Sequence, residues 1–412
     1  MSTLPVTDPR TGLVDYEVPV AGTDDVEAAV SSLREAQPAW EGAGVEARCE
    51  ALLRLRDAVQ RHADDISAAL CRDTGRHLMA RIETDSVQGW MAYWARRAPE
   101  LVKPPAGVSA MAPSVHYRHR YRPYPVVGVI SPWNVPLILG LIDAIPALAA
   151  GCAVLLKPSE VTPRFAVPLA RAIDEVPEVA AVLRIVTGGA ETGQALIDRV
   201  DAVCFTGSVP TGRKVAARAA ENFIPAFLEL GGKDPAVVLA SADLDNAANA
   251  ILRSAAGMTG QACQSLERIY VQREVFQPFV DLLVEKAKAV ELNWPDLHRG
   301  QIGPFIFPPQ AEKVRAQLDE AVARGARILC GGLEQHGGWW CRPVVITGVD
   351  HDLELMREET FGPVLPVIPF DMRTKRWTSP TIPASACPAP CSPAAARRAR
   401  HSRCASRAAR SR

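Results

Sequence analysis

A chain of 412 residues is too long for one hydrophobic core, so two or three domains are expected. Its 46 basic and 46 acidic side chains cancel, which leaves no net field to draw it to nucleic acid or to an anionic membrane surface. Ten cysteines without a CxxC pair suit a reduced, cytoplasmic chain better than a disulfide framework.

The N-terminus, "MSTLPVTDPRTG", is polar and has no apolar signal core, so export is not expected. "TDDVEAAVSSLREA" puts Val26, Ala29, Val30 and Leu33 at helical spacing, with Thr23 or Asp24 as the cap. The pattern repeats from Ala47, so the first hundred residues are mainly amphipathic helix. "VHYRHRYRP" (115–123) reads as an exposed or partner-facing strand ended by Pro123, its histidines on the surface. From Val126 to Leu156 the only charge is Asp143, long enough to span a bilayer. Pro132, Pro136, Pro146 and the polar break Ser131, Trp133, Asn134 argue instead for strand, loop, buried helix, strand.

Short apolar runs then alternate with helices: "VVGVIS", "LGLIDAIPALAAG", "AVLLKPS", "RFAVPLARAIDEV", "VLRIVTG", "AETGQALIDR", "AVCFTGS", "PTGRKVAARAAE", "AFLELGG". That order predicts an open, mainly parallel sheet with helices on both faces, whose ligands sit beyond the carboxyl ends of the strands. Trp133-Asn134, Lys157 to Glu160, Gly188-Gly189 and Gly207-Ser208 fall there. From Asp243 the pattern restarts: "NAANAILRSAAGMTGQ", "RIYVQ", a helix around "FQPFVDLLVEKAKAVEL", a helix "PQAEKVRAQLDEAVARGA", then strands "RILCGG" and "PVVITGV". A second α/β domain is expected, with Cys263 turned back toward the strand ends of the first.

Several residues could carry chemistry. Cys263 stands in the polar setting "TGQACQSLERIYV"; a nucleophile there needs access and surroundings that favour thiolate, since a free thiol has a pKa of about 8.5. A small apolar filler is the alternative. Gly207, Ser208 and Gly212 join a strand to a helix, where backbone amides and the helix dipole could bind pyrophosphate, although the spacing is not GxGxxG. Lys157 and Glu160 could hold ribose hydroxyls or simply form a surface ion pair. Glu229, between two leucines, could be desolvated into a usable general base, or could face solvent. Asn134 could aim its amide at an oxyanion, or be an ordinary turn asparagine.

Together "SPWNVP", "LLKPSEVTP", "FTGSVPTG", "LELGGKDP", "GQACQSLER" and "EETFGP", in this order and spacing, closely resemble the aldehyde dehydrogenase superfamily from about residue 8 to 370. The resemblance implies a Rossmann-type NAD(P)-binding domain at 1–109 and 125–231, an oligomerisation strand segment at 110–124, and a second α/β catalytic domain at 232–371. It implies oxidation of an aldehyde to a carboxylic acid. The Cys263 thiolate would attack the carbonyl. Asn134 and the Cys263 N–H would hold the thiohemiacetal oxyanion, one such donor being worth roughly 3 kcal/mol. Glu229 would activate water to release the acid from the thioester. By the same resemblance Trp133, Lys157, Ser159, Glu160, Gly189, Gly193, Phe205, Gly207, Ser208, Leu230, Gly231, Glu359 and Phe361 line the cofactor. Glu160 favours NAD by repelling a 2′-phosphate, though NADP is open. A small-molecule aldehyde is the expected partner, with no nucleic acid, no membrane and no metal, and the intact family is homo-oligomeric.

The resemblance stops after "FGPVLPVIPFD". Residues 372–412 contain no Asp or Glu and are rich in Arg, Ala, Ser and Pro, which reads as a disordered basic tail. One permitted set of codons for 371–392, read in a shifted frame, gives "YEDEAVDLANDSRFGLSGAVF", the kind of segment the family has next. A reading-frame shift near Asp371 is therefore expected. It would leave the catalytic domain incomplete and an intersubunit sheet short of a strand, favouring aggregation. An inactive product that still binds nucleotide is the alternative to an enzyme. A basic-tailed nucleic-acid binder rests on the tail alone.

Overall fold

The computed structural model describes residues 2–371, so the basic tail and the frame-shift expectation lie outside the described residues, apart from Asp371 itself. The chain opens with an antiparallel pair, β1 (Thr3–Thr7) and β2 (Val14–Pro19), which no pattern in the sequence announces. The intervening "DPRTG" closes through the Gly12 amide donating to the Asp8 carbonyl, with Gly12 at φ +71. Helices Thr23–Gly42, Gly44–Arg61, Ala63–Thr74 and His77–Leu101 follow. Val26, Val30 and Leu33 are buried as their spacing predicts. The first cap differs from expectation: Gly22 holds that position, and its amide donates to the Asp25 carboxylate at 2.8 Å.

Of the predicted strand at 115–123 only β4 (His116–Arg118) forms, paired antiparallel with β3 (Ala106–Val108). Both are short and exposed, and His116 and His119 lie on the surface. The apolar stretch after Pro125 folds as the prolines suggest. β5 (Val126–Ile130) is followed by two short helices, Pro136–Leu141 and Ala144–Ala150, rather than the single helix expected, and then by β6 (Ala153–Lys157). No described helix is long and apolar enough to cross a membrane.

With β7 (Leu183–Ile185), β8 (Ala202–Gly207) and β9 (Ala226–Leu230), these strands form a five-stranded parallel sheet in the order β7-β6-β5-β8-β9. β6 is buried along its whole length, as a strand covered on both faces must be. The order reverses between β5 and β8, and the crevice at such a switch point, beyond the carboxyl ends, is where ligands bind. The register sets Ile130 beside both Lys157 and Phe205, and Gly207 beside Leu230.

β9 runs through Gly231-Gly232-Lys233 directly into β10 (Asp234–Val238), the first strand of a second sheet. Its other members are β11 (Leu266–Gln272), β12 (Arg327–His336), β13 (Gly338–Thr347) and β14 (Val364–Phe370), in the order β10-β11-β14-β13-β12. Only β12 is antiparallel to its neighbour. β10 and the central β14 are strands beyond those expected, and β12 and β13 run longer than expected. Separate buried clusters fill the two halves: Leu33, Leu52, Leu155 and Phe165 in the first, Phe279, Leu283, Trp340 and Val367 in the second. The continuous passage from β9 to β10 makes the carboxyl ends of the first sheet meet the amino ends of β10 and β11.

Candidate active site

Cys263 sits in that seam. Helix Leu244–Ala256 stops at Gly257, and Met258, Thr259 and Gly260 then take left-handed φ values of 53, 61 and 65°. Left-handed backbone is unusual for Met and Thr, so the surroundings must impose it. Thr259 Oγ1 donates to the Gly303 carbonyl at 2.9 Å. The Gln261 side chain donates to the Pro304 carbonyl at 3.2 Å and accepts from the Ile306 amide at 3.0 Å. At Gly260 a Cβ would lie 2.3 Å from the Gly362 carbonyl carbon, so only glycine fits. The turn ends with Cys263 exposed just ahead of β11.

Access is therefore present, but the surroundings do not favour thiolate. Desolvation of the sulfur pushes the Cys263 thiol up, and the charges of Glu359, Asp234 and Glu229 push it further the same way. A Cβ at Gly232 would stand 3.1 Å from Asp234 Oδ1 and 4.0 Å from the Cys263 carbonyl oxygen, so the cysteine turn passes beside the glycine pair that follows Glu229.

Asn134, buried in the turn after β5, reaches across the seam: its Nδ2 donates to the Gln261 carbonyl at 3.0 Å. Asn134 Nδ2 makes no other hydrogen bond among the described residues. Arg76, which no motif singles out, fixes both sides of this contact. It donates through Nη1 to the Asn134 carbonyl at 3.2 Å and through Nη2 to the Met258 carbonyl at 2.5 Å. Burial lowers its guanidinium to about 10. Glu83, also outside every motif, accepts from the Leu137 and Ile138 amides at the start of the helix after Asn134, and burial pushes its carboxyl up to about 7.

Glu229 is exposed, the solvent-facing one of the two readings that its leucine neighbours leave open. β9 is the edge strand of the first sheet, so nothing pairs with its outer side there. Leu230 packs instead against Gly212, whose missing Cβ would lie 2.5 Å from Leu230 Cδ2. The Glu359 carboxylate lies over Gly231, where a Cβ would be 2.3 Å from Oε2, and accepts from the Gly232 amide. Desolvation, then the charge of Glu267, raises it to about 7. Phe361, at φ +51, sets its ring edge-on to Trp133 with centroids 5.3 Å apart. Phe307, absent from the expected set, lies 6.0 Å from Trp133.

The remaining predicted residues line the carboxyl edge of the first sheet. Lys157 is buried, not part of a surface pair: Nζ donates to the Gly188 carbonyl at 2.7 Å and the Pro158 carbonyl at 3.0 Å, with Glu160 at 3.5 Å. Burial lowers its pKa, and Glu160 opposes that. Ser159 is buried and accepts from the Val161 amide. Gly189 precedes helix Ala190–Ile197, and Gly193 within it touches the Lys157 stem. The Phe205 ring lies on Gly207. Ser208 caps the thirteen-residue helix Val209–Glu221, its Oγ accepting from the Thr211 amide at 3.4 Å.

These residues fit a dinucleotide. A helix N-terminus at the switch point suits a pyrophosphate. The buried Lys157 ammonium and the half-exposed Glu160 suit ribose hydroxyls, and Glu359 over the glycine pair suits a second ribose. Lys157, Ser208, Glu359 and Phe361 are the groups that would hold it.

Residues 1–375 match the Aldehyde dehydrogenase family. The 3,6-anhydro-alpha-L-galactose dehydrogenase of Streptomyces coelicolor is 37% identical over 380 residues, covering 90% of this chain and 76% of the relative. The lactaldehyde dehydrogenase of Escherichia coli is 35% identical, covering 89% of this chain and 77% of the relative. Among solved structures, the aldehyde dehydrogenase PutA of Anabaena variabilis superposes with a TM-score of 0.88 at 47% identity, over 90% of this chain and 79% of that one. Family members oxidise aldehydes to carboxylic acids with NAD(P), and this chain belongs to the aldehyde dehydrogenase family.

Proposed function

We propose that the chain carries out this oxidation by covalent catalysis at Cys263. The observation that carries the reading is the Asn134–Gln261 bond across the seam, which holds an amide donor beside the cysteine turn. The Cys263 thiolate, its proton already lost to solvent, adds to the aldehyde carbonyl, giving a thiohemiacetal oxyanion. The second N–H of Asn134 and the Cys263 amide donate to that oxyanion. NAD(P), which Lys157, Ser208, Glu359 and Phe361 would hold, would supply the hydride acceptor; the adduct that has lost hydride is a thioester of Cys263. Glu229 takes a proton from water, which adds to the thioester carbonyl and releases the acid and the thiol. Glu229 acts from an exposed position, close enough for its charge to reach the thiol.

Lys157 and Glu160 take the adenosine ribose, Gly207 and Ser208 the pyrophosphate, and Glu359 and Phe361 the nicotinamide side. Trp133, Ser159, Gly189, Gly193, Phe205, Leu230 and Gly231 shape the groove. The Glu160 carboxylate favours NAD over NADP through repulsion of a 2′-phosphate. In this reading 1–109 and 125–231 form the cofactor domain and 232–371 the catalytic domain. Segment 110–124, with exposed Met111, Val115, Tyr117 and Tyr121, offers an apolar surface to a second copy. All seven cysteines of the described residues are free, which supports a reducing compartment such as the cytoplasm.

The test is NADH formation by the purified full chain with an aldehyde panel, beside Cys263→Ser. Turnover by the wild type, and loss of nearly all of it in the variant, supports the reading. NAD binding without any turnover would replace it with a nucleotide-binding role, and equal turnover by the variant would remove Cys263 as nucleophile.

A further inference from the structure

A buried ion pair joins the three segments to which the proposed chemistry is assigned. Lys233 follows the glycine pair after Glu229, Glu267 lies four residues beyond Cys263, and Thr360 sits between Glu359 and Phe361. Lys233 Nζ donates to Glu267 Oε2 at 2.5 Å and to Thr360 Oγ1 at 2.8 Å. Glu267 then accepts two consecutive backbone amides, Thr360 at 2.7 Å and Phe361 at 2.8 Å. Lys233 and Glu267 have side-chain exposures of 1% and 2%, so water does not substitute for any of these bonds. Two adjacent N–H groups aimed at one carboxylate fix the peptide between them. That peptide enters Phe361 at φ +51, which unconstrained phenylalanine avoids.

We propose that Glu267 and Lys233 are positioning residues: their ion pair clamps the Thr360–Phe361 peptide and thereby sets Glu359 and Phe361 for the nicotinamide side of the cofactor. This rests on the assignment of Glu359 and Phe361 made above. Neither Glu267 nor Lys233 is exposed to a bound substrate. Each acts through the loop. A buried pair of this kind adds little net stability, while removing one member strands the other charge.

The decisive variant therefore replaces both, Lys233→Met with Glu267→Gln, beside Glu267→Gln alone. In the folded double variant the Thr360 and Phe361 amides should exchange with deuterium about tenfold faster or more. The KM and Kd for NAD should rise by about tenfold, with kcat changed far less. Unchanged amide exchange in a folded variant overturns the clamp. Faster exchange with unchanged NAD affinity overturns its positioning role. A wild-type chain that binds no NAD overturns the proposed function instead, and the exchange comparison still decides the clamp.

Discussion

Thiolate is the reactive form of cysteine, and every charge acting on Cys263 is negative. Desolvation is the largest influence holding the proton on sulfur, and Glu359 comes next. Removing that charge must make ionisation easier. Glu359→Gln should therefore move the pH profile of Cys263 alkylation by iodoacetamide to lower pH, with the neutral-pH rate raised roughly threefold. Peptide mass spectrometry distinguishes Cys263, the exposed thiol among the described cysteines, from the buried and half-buried ones. A profile identical to the wild type would mean that Glu359 does not reach the sulfur. Cys263 is visible in the sequence through its polar neighbours. Glu229 and Glu359 are visible too, through the motifs that carry them, whereas the pull of Asp234, the first residue of β10, on the sulfur is not.

The Cys263 turn is an element built around one glycine. An alanine at Gly260 would take a left-handed conformation and push its Cβ into the Gly362 backbone, which has no flexible end to swing aside. Gly257, three residues earlier, has φ −53 and open space within 4 Å of where a Cβ would stand, so it is the matched control. Gly260→Ala should cost about 2 kcal/mol or more in denaturant unfolding and abolish turnover, whereas Gly257→Ala should stay within about 0.5 kcal/mol. Equal stability for both would mean that the turn yields more easily than its packing implies. At this scale the sequence is readable where periodicity is clean, as in the parallel strands from Val126 to Leu230. It misleads at β14, "VLPVIPF", because Pro366 and Pro369 argue against a central strand. The helix after Pro136 reads as one apolar run, yet breaks at Ile142-Asp143.

The folded molecule as a whole is held by groups whose partners lie far apart in sequence. Arg76 is 58 residues from Asn134 and 182 from Met258, separations that no local pattern encodes. That is why the motif residues are legible and their supports are not. These supports also make stability depend on pH. Glu83 faces the Arg76 guanidinium and the Leu137 and Ile138 amides. Glu359 faces Glu267, Lys313, Lys233 and the Gly232 amide. Both carboxyls rise from 4.5 to about 7, chiefly through desolvation. Each therefore holds its proton more firmly in the folded than in the unfolded chain. The stability they lend is fully present below about 4.5, is lost as pH rises to about 7, and changes no further above that. Asp143 and Asp234 shift in the same direction. The free energy of unfolding should thus fall between mildly acidic and neutral pH and then level off. Glu83→Gln should flatten the slope by up to about 3 kcal/mol, whatever it does to the absolute stability. Denaturant melts across that range decide the matter: a wild-type stability that is flat or rises toward neutral pH would mean that these carboxyls are already ionised in the folded chain and that water reaches the seam.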